Sequence, residues 1–420
     1  MRIKRAYSLA LAMALVPVIS AQTVRREVPD LDFARFDRDR IVFLGDSSAF
    51  GKAFTRMDAA LSGSGDFRIL HIGGSHAQAG TFTRRLRNNL LSLREGLDGG
   101  RGMVFPFTAA KTNTPSSYRS RYEGVWTPVK NTTRALSLRL GLTGMAVTTS
   151  DSTAYVRIVL KARNATAEDP DFYFDKVDVL GYPIEGERFP VVVLDSGDIL
   201  KGTRLEEASL WSFALPAPQD SVTVAVAGSG GELALTGIYL DKPSPGISVT
   251  EIGVNGAAVP SYLRCEDLER DLRIVNPDLV IFAIGINDAS GKNFSKEDFI
   301  AKYKSLVARV RSVNPDCALL FVTNNDSYKR VRRRVYAVNR NGLAAEEAFL
   351  KLAEDCGGGV WDLFDIMGGL ESMRKWEEAG LAKRDKIHFT EEGYSLLGDL
   401  LYNALMAKYI EHLRRRTWPD

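Results

Sequence analysis

The sequence predicts an α/β protein interrupted by an all-β module, and three stretches carry that expectation. Residues 67–80 read FRILHIGGSHAQAG, in which Ile69, Leu70 and Ile72 form the apolar run of a parallel strand buried on both faces. Across residues 105–240, period-two alternation recurs between turn-rich stretches with no helical pattern intervening. Beyond Pro243 and Pro245, short apolar runs again alternate with helical spacings, the texture of a parallel sheet covered by helices.

The chain opens on Met1-Arg2-Ile3-Lys4-Arg5, an apolar run over residues 9–19 and the small pair Ser20-Ala21, which read as a secretory signal over residues 1–21. The apolar run is too short to span a bilayer comfortably and no second long one follows, so the expected product is secreted, periplasmic and without a membrane span. With 420 residues, 45% hydrophobic and 25% charged, the chain is long enough for two cores. A net charge of +3 gives no general case for a nucleic-acid partner. Lys329-Arg330, Arg332-Arg333-Arg334 and Arg340 are the local exception, read as a solvated helix or loop face, with a polyanion or acidic-glycan contact as the alternative. Cys265, Cys317 and Cys356 are too few for a disulfide scaffold and too scattered for a zinc site.

Residues 22–104 read as the first part of the α/β domain. Residues 41–44 are apolar and lead into Gly45-Asp46-Ser47-Ser48, after which Phe50, Phe54, Met57 and Leu61 recur at helical spacing. Ser47 therefore competes for the role of nucleophile, unless Asp46 or Ser47 merely caps the helix. The stronger candidate is Ser75. Gly73-Gly74 break the strand just before it, and Phe82, Leu86, Leu90 and Leu93 mark a helix beyond, which places Ser75 in a tight turn near a positive helix terminus.

Residues 105–245 form the expected insertion, a jelly-roll-like or sandwich module of carbohydrate-binding type. Leu136, Leu138, Leu140 and Leu142 alternate, as do Val156, Ile158 and Leu160, and Val222, Val224 and Val226, so each set predicts a strand. Tyr118, Tyr122, Trp126 and Trp211 are candidates for stacking on sugar rings, although large aromatics more often fill a core. Residues 246–420 return to α/β texture. Strands at 247–252, 279–283 and 318–323 lead into Gly253-Val254-Asn255-Gly256, Gly285-Ile286-Asn287-Asp288 and Asn324-Asn325-Asp326, with helices at 263–274 and 299–313 and a long terminal helix. Polar groups thus gather where strands end, the expected address of a site in an open parallel sheet.

A serine hydroxyl needs a base to remove its proton, usually a histidine oriented by a carboxylate. Of four histidines, His412 is expected to be solvated on the terminal helix, His71 packed within a strand, and His76 turned away from the adjacent Ser75. His388 remains, with Asp385 three residues earlier and able to fix its tautomer. The charge that develops on the attacked carbonyl needs donors, and the N–H groups of Ser75 and Gly256 and the Asn287 amide are the candidates.

GGSH at 73–76, GVNG at 253–256, GIND at 285–288 and DKIH at 385–388 occur in the order of the four sequence blocks of the SGNH, or GDSL-type, hydrolases, which the chain resembles over residues 41–104 and 246–410. The resemblance implies a flavodoxin-like three-layer α/β/α SGNH hydrolase domain, with Ser75 as nucleophile, His388 and Asp385 as the base pair, and Ser75, Gly256 and Asn287 as the oxyanion hole. It implies no metal and no organic cofactor. A serine motif ending in His and followed by Gln, with a β-rich module between the first and second blocks, is similar to the peptidoglycan and polysaccharide O-acetyl esterases. Two positions depart from the family pattern: Gly74 stands where Asp usually precedes the serine, and Asn255 where a small residue is common. The G-x-S-x-G plan fails, because Ala77 holds its last position. The expected activity is removal of O-acetyl groups from a polysaccharide, either peptidoglycan or a hemicellulose-like glycan. An O-acetyltransferase and a catalytically decayed glycan-binding protein are the alternatives.

Overall fold

A computed structural model describes residues 25–417 apart from 168 and 334; the expected signal over residues 1–21 lies outside the described residues. A six-stranded sheet holds the α/β part together: β1 (Ile41–Phe43), β2 (Phe67–Gly73), β3 (Ile247–Gly253), β4 (Leu279–Ala283), β5 (Ala318–Val322) and β6 (Gly359–Trp361), in the spatial order β1-β6-β5-β4-β2-β3. β2 to β6 are parallel, and their order is that of the flavodoxin-like sheet. β1 caps the far edge antiparallel to β6, pairing Ile41 with Trp361 and Phe43 with Gly359.

The central strands are apolar throughout because helices cover both faces; Val280, Ile281, Phe282, Leu319, Leu320 and Phe321 are fully buried. α1 (Ser48–Leu61), the short α2 (Ser75–Ala79), α3 (Thr81–Leu91) and the terminal α7 (Glu391–Thr417) belong to one helical layer, and α4 (Leu268–Val275), α5 (Lys296–Val313) and α6 (Asn341–Cys356) to the other. The three cysteines are buried and unbridged. Among the described residues no helix is long and apolar enough to cross a membrane.

Register fixes where the site forms. β3 pairs with β2 from Ile247↔Phe67 to Gly253↔Gly73, and β4 pairs with β2 from Leu279↔Ile69 to Ala283↔Gly73. The three strands therefore end level, and the turns carrying Ser75, Gly256 and Asn287 leave the sheet side by side.

Between β2 and β3 the chain builds two antiparallel sheets, one of five strands and one of seven. Val156, Ile158, Val222 and Val224 from the first and Val147, Val177, Val179 and Leu235 from the second are buried. Gly102–Val104, on the α/β side of the expected boundary, already pairs with Glu232–Asp241 of the module. A buried ion cluster ties the module to the sheet: Arg101 donates to Glu251 Oε1 of β3 at 2.7 Å and to Ser117 Oγ at 2.9 Å, and Arg87 of α3 lies 3.6 Å from Glu251. Burial pushes the Glu251 carboxyl up, but the two guanidinium groups outweigh it and hold the group below its ordinary value.

Three expectations are corrected. Residues 136–142 form no strand. Leu140 and Leu142 are buried as their alternation implies, yet the backbone groups pair elsewhere. Leu142 N–H donates to Asp271 Oδ2 of α4 at 2.8 Å, Asp267 N–H to Leu140 O at 3.0 Å, and Tyr182 OH to Arg139 O at 3.1 Å. The basic stretch is neither helix nor loop but an antiparallel hairpin of Tyr328–Arg332 and Val335–Val338, in which Tyr328, Val331, Val335, Tyr336 and Val338 supply β-favouring side chains. His412 is not freely solvated, since its ring packs 5.5 Å from that of Phe54. Of the aromatic candidates Tyr118, Trp126 and Trp211 are buried, and only Tyr122 is exposed.

Candidate active site

Ser75 is the first residue of α2, directly beyond the carboxyl end of β2. The fit at this turn is close: a Cβ on Gly253 would lie 2.3 Å from Gln78 N and 2.7 Å from Gly74 O, so only glycine lets β3 end against the serine turn. Tyr262 OH donates to Gly73 O at 2.9 Å and fixes the last carbonyl of β2.

His388 arrives from a loop 313 residues later, and its Nε2 lies 2.7 Å from Ser75 Oγ. Its Nδ1 lies 2.9 Å from Asp385 Oδ2, while Asp385 Oδ1 accepts the N–H groups of Ile387 at 2.9 Å and His388 at 3.0 Å. Burial pushes the Asp385 carboxyl up, but the His388 ring and these two N–H groups prevail and hold it well below the usual carboxylate range. A permanent carboxylate at Nδ1 favours the tautomer whose free Nε2 faces the serine. Asn325, at the end of β5, donates to Ile387 O at 3.0 Å and braces the loop.

The Asn287 amide and the backbone at Ala257 lie beside the serine turn. A Cβ on Gly74 would lie 3.4 Å from both Asn287 Nδ2 and Ala257 O, so atoms of a larger side chain there would meet the amide. Asn287 Nδ2 donates one hydrogen to Ala257 O at 2.9 Å and keeps its second. Asp288 accepts Val259 N–H through both carboxylate oxygens at 3.2 and 3.1 Å, anchoring the end of the loop that carries Gly256. Burial pushes Asp288 up to about 6.

Two neighbours of Ser75 do work the sequence did not reveal. Gln78 is buried; its Oε1 accepts Asn255 N–H at 2.7 Å, and its Nε2 reaches Asn113 O at 2.9 Å and Thr112 Oγ1 at 3.0 Å. It thereby ties the Gly256 loop to the first turns of the β-module. His76 shares a 2.9 Å hydrogen bond between its Nδ1 and Tyr394 OH, and its ring centroid is 5.2 Å from that of His388. Burial, then the nearby His388, pushes His76 down to about 3, so it packs as a neutral ring. The Gln and His following the serine were the only signal of either role.

The rival serine is elsewhere. Asp46 Oδ1 accepts Ser48 N–H and its Oδ2 accepts Ser48 Oγ, both at 2.9 Å, at the start of α1. Because β1 is antiparallel, its end lies level with Gly359, the first residue of β6. Ser47 therefore sits at the amino ends of the parallel strands, opposite Ser75. Around Asp46 and Ser48 a shallow depression is lined by Lys52, Arg311, Asp316 and Glu354, without a histidine.

Residues 220–396 match the GDSL-like lipase/acylhydrolase family model, a span containing Gly256, Asn287, Asp385 and His388 but not Ser75. A solved peptidoglycan O-acetylesterase superposes with a TM-score of 0.70 at 23% identity, covering 88% of this chain and 99% of that one. An acetyl xylan esterase covers 38% of this chain and 80% of its own, at 21% identity and a TM-score of 0.30. No curated protein matches in sequence. The chain has the SGNH fold, and its residues 220–396 are similar to the GDSL-like acylhydrolases. The module between β2 and β3 belongs to the shared architecture, since the superposition with the first neighbour covers 88% of this chain and 99% of that one.

Proposed function

We propose that this protein is a carboxylic ester hydrolase that removes O-acetyl groups from a secreted or cell-wall polysaccharide through a Ser75–His388–Asp385 triad. The 2.7 Å contact between Ser75 Oγ and His388 Nε2 carries the reading, because it gives the hydroxyl a base whose other nitrogen is already held by a carboxylate. Ser75 Oγ attacks the acetyl carbonyl while His388 Nε2 takes its proton. The oxyanion is held by Ser75 N–H, Gly256 N–H and the free hydrogen of the Asn287 amide. His388 then protonates the departing sugar hydroxyl, and water, activated by the same nitrogen, releases acetate from Ser75. Half-exposed Asp385 and His388, at 43% and 31%, leave the site open to a polymer rather than enclosed. The secretory reading of residues 1–21 and the O-acetylesterase fold neighbour support a substrate outside the cytoplasm.

Acetate release from 4-nitrophenyl acetate, acetylated peptidoglycan and acetylxylan tests this. Ser75→Ala is expected to lose about 10⁴-fold or more in kcat on every substrate, while Ser47→Ala retains wild-type turnover. Loss of activity in Ser47→Ala, or an active Ser75→Ala, overturns the assignment. Faster acetyl transfer to an added glycan than to water would make the protein a transferase.

A further inference from the structure

The basic hairpin Tyr328–Arg332/Val335–Val338 stands between the two halves of the site. Its first strand is joined to the catalytic loop, where Tyr328 N–H donates to Lys386 O at 3.0 Å and Lys386 Nζ lies 5.9 Å from the Tyr336 ring centroid. Its other side is moored behind the Asn287 helix: Lys329 Nζ reaches Gly291 O at 3.4 Å, Asn339 Nδ2 reaches Ala289 O at 3.3 Å, and Asn341 Nδ2 reaches both carbonyls at 2.9 Å. The hairpin is thus fixed to the turn of one proposed oxyanion donor and to the loop of the proposed base.

Its charge is not neutralised. Arg330, Arg332 and Arg333 are exposed, and so are Lys383 and Arg384 of the catalytic loop. Among the described residues none of these five makes an ion pair, on a surface where cations such as Lys296, Lys302 and Lys351 are matched with carboxylates. Exposed guanidinium groups without carboxylate partners on a two-stranded frame can capture carboxylates in planar, bidentate fashion.

We propose that the hairpin and the Lys383-Arg384 edge form a docking strip for carboxylates carried by the glycan, so that the preferred substrate is an acidic acetylated polymer, not a neutral one. This rests on the acetylated-glycan reading of the site. The strip holds the chain alongside Ser75 through groups remote from the ester, and its attraction weakens as salt rises.

The test is co-sedimentation of the full chain with insoluble acetylated peptidoglycan, with the same polymer after amidation of its carboxyls, and with phosphatidylglycerol vesicles. Turnover of 4-nitrophenyl acetate is measured alongside. Substituting Arg330→Gln, Arg332→Gln and Arg333→Gln together should weaken binding to the intact polymer by about tenfold at low salt, as three exposed contacts allow. Amidation should weaken the wild type similarly, and 4-nitrophenyl acetate turnover should be unchanged. Equal binding of wild type to intact and amidated polymer, no binding to either, or no loss in the triple variant overturns the proposal. Vesicle binding lost in the variant while polymer binding persists would reassign the strip to a membrane surface. A wild type inert on 4-nitrophenyl acetate would instead sink the ester-hydrolase site, whatever the binding shows.

Discussion

Two turns in this molecule look alike in sequence and differ in everything that matters for chemistry. Gly45-Asp46-Ser47 and Gly73-Gly74-Ser75 each follow a short apolar strand and open a helix. The first strand is antiparallel at the sheet's edge, the second parallel at its interior, so the two serines emerge at opposite ends of the sheet. Only Ser75 emerges where β3 and β4 end level with its own strand and where the His388 loop closes over it. Strand direction, which no local motif encodes, separates the serine proposed as nucleophile from one in a turn that only leads into a helix.

The comparison breaks most visibly at Asp385, the carboxylate bound to the histidine that faces Ser75. Asp385→Asn keeps the shape of the loop but offers an amide to His388 Nδ1, favouring the wrong tautomer at Nε2. Activity on 4-nitrophenyl acetate is expected to fall about 10⁴-fold, with thermal stability close to that of the parent. A fall of less than about tenfold would mean that the pair at 2.9 Å does not orient the base.

A second difference is the bracing around Ser75. Gln78 supplies the acceptor for Asn255 N–H and holds the Gly256 loop against Thr112 and Asn113, whereas the Ser47 turn packs against the end of α6 at Glu354 and Gly357. Gln78→Ala leaves that N–H unmatched and loosens one proposed oxyanion donor. The expected loss is about 10- to 100-fold in kcat with KM little changed, since small misplacements at a reacting centre carry effects of that size. Gln78→Glu, which keeps the acceptor, should recover part of it. Equal losses in kcat and stability for both variants would mark Gln78 as a packing residue only.

What the sequence made legible follows from how far apart the interacting groups are. The nucleophile, base and acid candidates could be named because four histidines leave few choices and because GGSH, GVNG and GIND each close a recognisable apolar run. The parallel sheet with an all-β insertion was legible for the same reason, as its periodicities are local. The direction of β1 was not, because its partner β6 lies more than three hundred residues away. Nor was the fate of residues 136–142: their alternation is real in burial, but the groups that satisfy their backbone, Asp267 and Asp271, belong to a helix on the other side of the insertion. The hairpin at 328–338 was misread because runs of arginine mask the valines and tyrosines that pair its strands.

The smallest expected effect isolates the decoy itself. Asp46 is exposed and accepts both the N–H and the hydroxyl of Ser48, and those hydrogen bonds hold its carboxyl below the ordinary value. A depressed carboxyl stabilises the fold only while ionised; its contribution is present above the unfolded value of 3.8 and is lost as the pH falls through the folded one. Asp46→Ala should therefore lower the melting temperature by about 2 °C at pH 7, the scale of losing one helix-start contact in a chain of this size. The difference should begin to shrink as the pH falls below about 4 and close once the parent's carboxyl, held below its ordinary value, has taken up its proton. Ester turnover should not change at any pH. A melting difference without a catalytic one identifies the Asp46 turn as a structural lead into α1, while a catalytic defect in this variant would return Ser47 to the role proposed here for Ser75.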